Sequence, residues 1–155
     1  MTINMNDLVR GGTVCLSKAG LAVGGTATGV AIVAPNGAGV DYAINGLMYH
    51  KADAATVAIT AAAEQAVSTS CLYLVQLDSA GTLSTVKGTA VTTADITAGN
   101  KVLEWPTPAA DKCPIGAFRI DTGASNAYTA GTTDLDNSGN TDTYYDFFAV
   151  PSSPL

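Results

Sequence analysis

The amino-acid sequence predicts an all-β protein: a single-domain β-sandwich or barrel with short hairpins, a jelly roll being one of its forms. The first observation is that eight to ten short β-branched or apolar segments recur about every ten residues, with turn signals between them. The second is the run Cys71–Leu77, which carries no charge, so both of its faces can be covered in an inner strand. The third is composition: 155 residues include 16 Gly and only 13% charged residues.

The central element is the stretch Ser70–Val91, predicted to form a hairpin. Asp78–Gly81 is its turn, because Gly81 tolerates the positive φ that a short loop requires. Leu83 and Val86 among threonines and serines indicate a returning, half-exposed strand. In the first strand, one face carries Leu72, Leu74 and Gln76, and the other carries Cys71, Tyr73, Val75 and Leu77.

The segments before this hairpin are shorter. Residues 1–12 are polar enough to predict a flexible N-terminal arm, and 13–150 form the predicted β domain. Within the domain, Thr13–Ser17 and Gly29–Ala34 are expected strands, the second ending at the turn sequence Pro35-Asn36-Gly37. Asn45-Gly46 favours a two-residue type I′ turn, which predicts a hairpin of Val40–Ile44 with Leu47–Lys51.

Residues 54–68 have mixed signals. Thr56–Thr60 alternates β-branched residues and favours a strand, whereas Ala61–Ala66 has helix-forming residues and favours one or two helical turns. The sequence therefore predicts a strand followed by a short helical segment.

The second half of the chain continues the β pattern. Thr92–Asn100 is expected to be a polar connection with one helical turn, and the prolines that follow favour an extended irregular path. Ile115–Asp121 and Thr141–Val150 are expected strands, and residues 151–155 are an expected C-terminal tail.

Composition excludes several classes of partner. The net charge is −6, and Arg119 is followed by five Asp and by no Lys or Arg, which argues against nucleic acid. No apolar run approaches the roughly 18 residues of a membrane span, so no membrane partner is expected. The first residues lack a secretory pattern, which predicts synthesis in a cytoplasm and free thiols at Cys15, Cys71 and Cys113.

Residues suited to catalysis are scarce. His50 is the single histidine, and Glu64 and Glu104 lie forty residues apart without a surrounding motif. We therefore expect no enzyme activity and no cofactor. Oxygen-bearing side chains at alternate positions from Asp134 resemble the start of a calcium loop, with Asp134, Asp136 and Asp142 as candidate ligands. The twelfth position is Tyr145 rather than Glu, so an ordinary turn is the favoured interpretation.

Four aromatic residues close to the C-terminus form two adjacent pairs. On a strand, Tyr144 and Phe148 would share one face, and Tyr145 and Phe147 the other. One pair is expected in the core, and the second either also packs there or remains exposed for an oligomer interface.

Four segments together resemble small structural proteins of tailed bacteriophages, described as head decoration, cement or head-fibre proteins. The resemblance covers Val40–Phe148, and its motifs are structural rather than catalytic. The segments are YAINGLMYHKAD from Tyr42, CLYLVQLDSAGTLSTVKGT from Cys71, LEWPTPAADKCPIGAFRI from Leu103 and TAGTTDLDNSGNTDTYYDF from Thr129.

This resemblance implies a protein that binds the major capsid protein on the outer surface of the virion, commonly as a homotrimer at threefold sites. The N-terminal arm is the expected capsid-binding element, since its apolar residues are too few for a core but suit an outside groove. Its candidate residues are Ile3, Met5, Leu8, Val9 and Arg10. A head-fibre or a receptor- or carbohydrate-binding module is the alternative, with Trp105 and Tyr128 as an aromatic platform.

Overall fold

The computed structural model describes residues 12–35 and 37–155, and the predicted arm residues 1–11 lie outside the described residues. The fold is all-β, as the sequence predicts, with one five-residue helix among the described residues. The strands are β1 (Val14–Cys15), β2 (Leu21–Val23), β3 (Gly29–Ile32), β4 (Val40–Ile44), β5 (Leu47–Lys51), β6 (Ala54–Ala58), β7 (Thr69–Leu77), β8 (Leu83–Lys87), β9 (Val91–Thr92), β10 (Cys113–Thr122) and β11 (Asn140–Asp146); helix α1 is Thr93–Thr97.

The described strands form three antiparallel sheets that pack in layers, as in a β-sandwich, and do not close into a barrel. The largest sheet has the order β11-β10-β7-β8, and β9 also pairs with β7. The two smaller sheets have the orders β1-β4-β5 and β2-β3-β6. One apolar core contains side chains from all three sheets, so the sheets stabilise one another through it.

Strand β7 is the centre of the core, and all nine of its residues are buried. On one face, the Tyr73 ring stacks on Phe118 at 4.9 Å between centroids, and its hydroxyl donates to Gln65 Oε1 at 3.1 Å. On the other face, Leu72 packs with Val91 and Leu103 in a separate small cluster. The predicted inner strand with two covered faces is therefore confirmed.

Both predicted hairpins form where the turn residues indicate. β4 and β5 have the predicted bounds, and their turn residues Asn45 and Gly46 have φ of 52° and 83°. In the β7–β8 turn, Gly81 has a φ of 74°, and the Asp78 carboxylate accepts from the backbone N–H of Ala80 and of Thr82, both at 2.9 Å. Local turn chemistry determines both connections.

The predicted helical segment Ala61–Ala66 is wrong, because none of these residues is helical. The Gln65 backbone forms an isolated β-bridge with Tyr128. Its buried side-chain amide donates to the carbonyls of Thr69, at 3.1 Å, and Ile120, at 2.9 Å. Hydrogen bonds to distant strands therefore outweigh the weak helix propensity of the alanines.

Three predicted strands are longer than the observed ones, the first being Thr13–Ser17, of which only Val14–Cys15 is a strand. β3 ends at Ile32 rather than Ala34, and Ala34 instead accepts from the Gly37 N–H in the following turn. β11 ends at Asp146 rather than Val150, so the alternation of faces stops before Phe147. The Asp146 carboxylate accepts from the backbone N–H of Leu21 at 3.0 Å, which joins the strand end to another sheet.

The single helical turn predicted within Thr92–Asn100 is confirmed as α1. The Thr92 hydroxyl accepts from the Asp95 N–H at 3.2 Å and caps its first turn. None of the helices in the described part of the chain has the length and apolarity to cross a membrane.

Candidate interaction site

Three of the four C-terminal aromatic rings pack within the chain. Tyr144 lies against Phe118 at the edge of the core, at 6.3 Å between centroids. Tyr145 and Phe147 both contact Trp105 edge-on, at 5.6 and 5.7 Å. Phe148 remains 60% exposed. The predicted sharing of a face by Tyr144 and Phe148 is therefore wrong, and an oligomer interface at these residues would depend on Phe148.

The acidic segment at Asp134–Asp142 consists of turns followed by the start of β11. The Asp134 carbonyl accepts from the Asn137 N–H at 3.2 Å, while Leu135 is buried and donates its N–H to Ala27 at 2.8 Å. Asp142 lies in the strand opposite Ile120. Across the described ranges, no three His, Cys, Asp or Glu side chains come together as a metal site would require.

We expect calcium to have no effect on the stability of this segment, because its turn hydrogen bonds and the buried Leu135 hold it without an ion. The melting temperature should be the same with EDTA and with added calcium. A fall of several degrees in EDTA, reversed by calcium, would identify Asp134 and Asp136 as ligands.

The remaining candidate catalytic groups differ in their exposure to solvent. His50 lies on the exposed side of β5, where its Nδ1 is 2.7 Å from the Asp41 carboxylate. The three cysteines are buried and free, as predicted. Burial raises the thiol pKa of Cys15 and Cys71 to about 11 and that of Cys113 to about 12. These thiols are therefore protonated and unreactive in the folded protein.

The buried thiols make stability dependent on pH above their ordinary pKa of 9.0. The unfolded chain releases these protons from about pH 9, while the folded protein keeps them until about pH 11–12. Stability is thus complete below pH 9 and falls as pH rises, by up to about 1.4 kcal/mol per pH unit for each thiol. Urea unfolding between about pH 8 and about pH 10 measures this slope, and Cys71→Ala should reduce it. A midpoint constant across this range would contradict the burial argument.

The structure reveals a groove of about 1030 Å³ that sequence reasoning did not identify. Its walls are residues 12–14, residues 104–112 and residues 149–154, with Asn45 and Pro114. These segments are distant in sequence, and only their pairing in the fold brings them together. The available sequence signal was the prolines Pro106, Pro108 and Pro114. They indicated an extended path, but they did not show which segments would form the other walls.

One wall of the groove is built by the C-terminal residues, which are packed rather than free. Leu155 and Leu103 exchange two backbone hydrogen bonds, at 2.9 and 3.2 Å. The Trp105 indole N–H donates to the Ser153 carbonyl at 2.9 Å. These bonds hold the expected tail against the proline-rich segment.

The part of the groove lined by Gly12, Thr13, Asn45 and Asp111, next to the β4–β5 turn, is called its mouth. The Gly46 N–H donates to the Gly12 carbonyl at 3.2 Å, and the Asn45 N–H donates to the Thr13 hydroxyl at 3.0 Å. The Asn45 side-chain amide donates to the Asp111 carboxylate, also at 3.0 Å. Gly12 is therefore fixed beside an acidic side chain at the point where residues 1–11 join the domain.

The same turn carries the most exposed large apolar side chains of the described residues. Leu47 is 64% exposed and Met48 is 73% exposed, both on β5. Among the described strands, β5 lies at the edge of its sheet and pairs with β4 alone. Exposed apolar residues on a sheet edge are typical of an interaction surface.

The proposed carbohydrate platform does not form. Tyr128 is fully buried, and its ring contacts Tyr73 at 5.6 Å within the core. Trp105 has its ring against Tyr145 and Phe147. Tyr128 therefore offers no ring face to a sugar, whereas the half-buried Trp105 lines the groove.

Comparisons with known proteins give no match: no family model, no curated protein and no solved structure is similar to this chain.

Proposed function

We propose that this chain is a non-enzymatic structural protein of a bacteriophage virion, which binds the outer surface of the capsid and stabilises it as a homotrimer. The observation that carries the proposal is the resemblance of four segments between Tyr42 and Phe148 to head decoration proteins. The implied partner is the major capsid protein.

The distribution of polar chemistry supports a binding role. The single histidine is exposed and paired with Asp41, and the three thiols are buried and protonated. The Ser70 hydroxyl is held by Asp121, which also accepts from Arg119 Nε at 2.8 Å. These side chains serve the fold. Leu47 and Met48 are by contrast exposed beside the point where residues 1–11 join the domain.

The energetic argument for the arm is one of multivalency. Full burial of Ile3, Met5, Leu8 and Val9 on a partner would contribute roughly 1.5–3 kcal/mol each. Ordering about ten residues costs some 1–2 kcal/mol per residue. A single arm is therefore at best near break-even, whereas three arms on one trimer bind with a high effective concentration after the first contact. Because the protein binds the assembled shell and not dissociated subunits, decoration stabilises the assembled state.

Deletion of residues 1–11 is expected to weaken binding to undecorated capsids by roughly 100-fold or more, because the avidity of three arms is lost. Gly12 is retained, since its carbonyl accepts from Gly46. Cosedimentation with capsids measures binding, and light scattering measures the oligomeric state, which should remain trimeric.

The matched substitutions are Leu8→Ser with Val9→Ser in the arm, and Val67→Ser, an exposed apolar residue of the domain, as the control. If the truncated protein decorated capsids as well as the full-length protein, the proposed role of the arm in capsid binding would be refuted. A monomer in light scattering would refute the avidity argument.

A further inference from the structure

The groove beside Gly12 has the size and the lining of a site for an extended peptide. Its volume of about 1030 Å³ is at the upper limit of the roughly 300–1,000 Å³ typical of small-molecule pockets. Its walls include Pro106, Pro108 and Pro151, with Trp105 between the segments. Proline has no backbone N–H, so these three residues add apolar surface to a lining that is overall about as polar as it is apolar.

The chain itself leads into this groove. Gly12 and Thr13 form part of its wall, and both are fixed by hydrogen bonds to the β4–β5 turn. The segment before Gly12 has eleven residues, which span at most about 36–40 Å when extended. That length is sufficient to follow the groove from its mouth.

The groove lining has two carboxylates, and the segment before Gly12 has two charged side chains, Asp7 and Arg10, of which Arg10 is closer to the groove in sequence. The Glu104 carboxylate makes no hydrogen bond or ion pair with the described residues, and Asp111 accepts only from the Asn45 amide there. Lys112 is already engaged, donating to the Ser84 hydroxyl at 2.8 Å. Arg10 is the only Lys or Arg among residues 1–11, and it lies two residues before Gly12. The five N–H donors of a guanidinium suit the Glu104 carboxylate, or the second oxygen of Asp111.

We propose that this groove binds the chain's own residues 1–11, with Arg10 at the acidic mouth and the apolar side chains Leu8 and Val9 against the proline walls. The arm then has a defined place in a protein molecule that is not bound to a partner. If the proposed function holds, the arm leaves this groove when the protein docks on the capsid, because the same arm side chains would contact the capsid lattice. The groove interaction itself does not depend on a capsid.

Trp105 provides the test, because it is the single tryptophan and forms part of the groove wall. Acrylamide quenching of its fluorescence is measured on the full-length chain. The arm variants are Arg10→Glu and Leu8→Ser with Val9→Ser, and the groove variant is Glu104→Lys. Val33→Ser replaces an exposed apolar residue outside the groove and is the matched control.

Both arm variants and Glu104→Lys should raise the quenching constant of Trp105, while Val33→Ser should leave it unchanged. Combining Arg10→Glu with Glu104→Lys should recover part of the protection, since the charges are exchanged. Equal quenching in all variants would overturn the proposal. Protection that is lost on dilution would mean that a second copy supplies the arm, and would also overturn it. Capsid binding is not involved in these measurements, so their failure leaves the proposed function to be tested separately.

Discussion

Replacing Tyr73 by alanine is expected to lower the free energy of unfolding by roughly 3–5 kcal/mol. Its side chain is fully buried, stacks on Phe118 and contacts Tyr128 edge-on. Such a loss is a large part of the 5–15 kcal/mol that stabilises an ordinary domain. The ring is also the point where β7, β10 and the Gln65–Tyr128 bridge meet. Urea unfolding followed by circular dichroism measures the change.

Tyr73→Phe is the matched control, because it keeps the ring and removes only the hydroxyl. The side-chain oxygen of Gln65, Oε1, then loses the hydrogen bond from Tyr73 while remaining buried, which costs about 1–3 kcal/mol. The order of stability should therefore be wild type, Tyr73→Phe, Tyr73→Ala. An alanine variant within about 1 kcal/mol of the wild type would show that Tyr73 is not at the centre of the core.

Replacing Gly116 by alanine is expected to destabilise the protein by about 3 kcal/mol, at the upper end of overpacking effects. A methyl group at this position would collide with the backbone carbonyl of Tyr145 and with the Leu21 side chain. Gly116 also lies at the irregularity in the β10–β7 pairing, where β10 meets both β7 and β11. The carbonyl belongs to a paired strand and cannot move aside without breaking the ladder.

Gly25→Ala is the corresponding control for the glycine prediction. A methyl group there has the Thr56 hydroxyl at 3.4 Å and no closer atom, so the stability should change by less than about 1 kcal/mol. Neither glycine has a positive φ, so the expected difference between the variants comes from the space around the new methyl group. Similar midpoints for both in urea would contradict the close approach of β10 to Tyr145.

The sequence predicts the parts of this fold that depend on local patterns. The uncharged run Cys71–Leu77 identifies the buried strand, and Asn45-Gly46 and Asp78–Gly81 identify two hairpin turns with their strands. In each case a few adjacent residues determine the backbone conformation. The error at Ala61–Ala66 has the opposite origin, since its conformation depends on Ile120 and Tyr128, partners of Gln65 that are distant in sequence.

The candidate site was less predictable for the same reason. The groove exists because Leu103 pairs with Leu155 and because the Trp105 indole N–H donates to the Ser153 carbonyl. No local sequence pattern predicts either contact. Alternation correctly separates Tyr144 from Tyr145 and places Tyr145 with Phe147 against Trp105, but it fails at Phe148, beyond the end of β11. The acidic turn at Asp134–Asp142 has the oxygen spacing of a metal loop, while its backbone follows ordinary turns.

A reconstruction of capsids incubated with the full-length protein tests the central proposal most directly. The proposal predicts additional density on the outer surface at threefold positions, with three all-β domains in each feature and the Gly12 end of each domain facing the shell. Density confined to a fibre or tail, or capsids left bare at saturating protein, would contradict it.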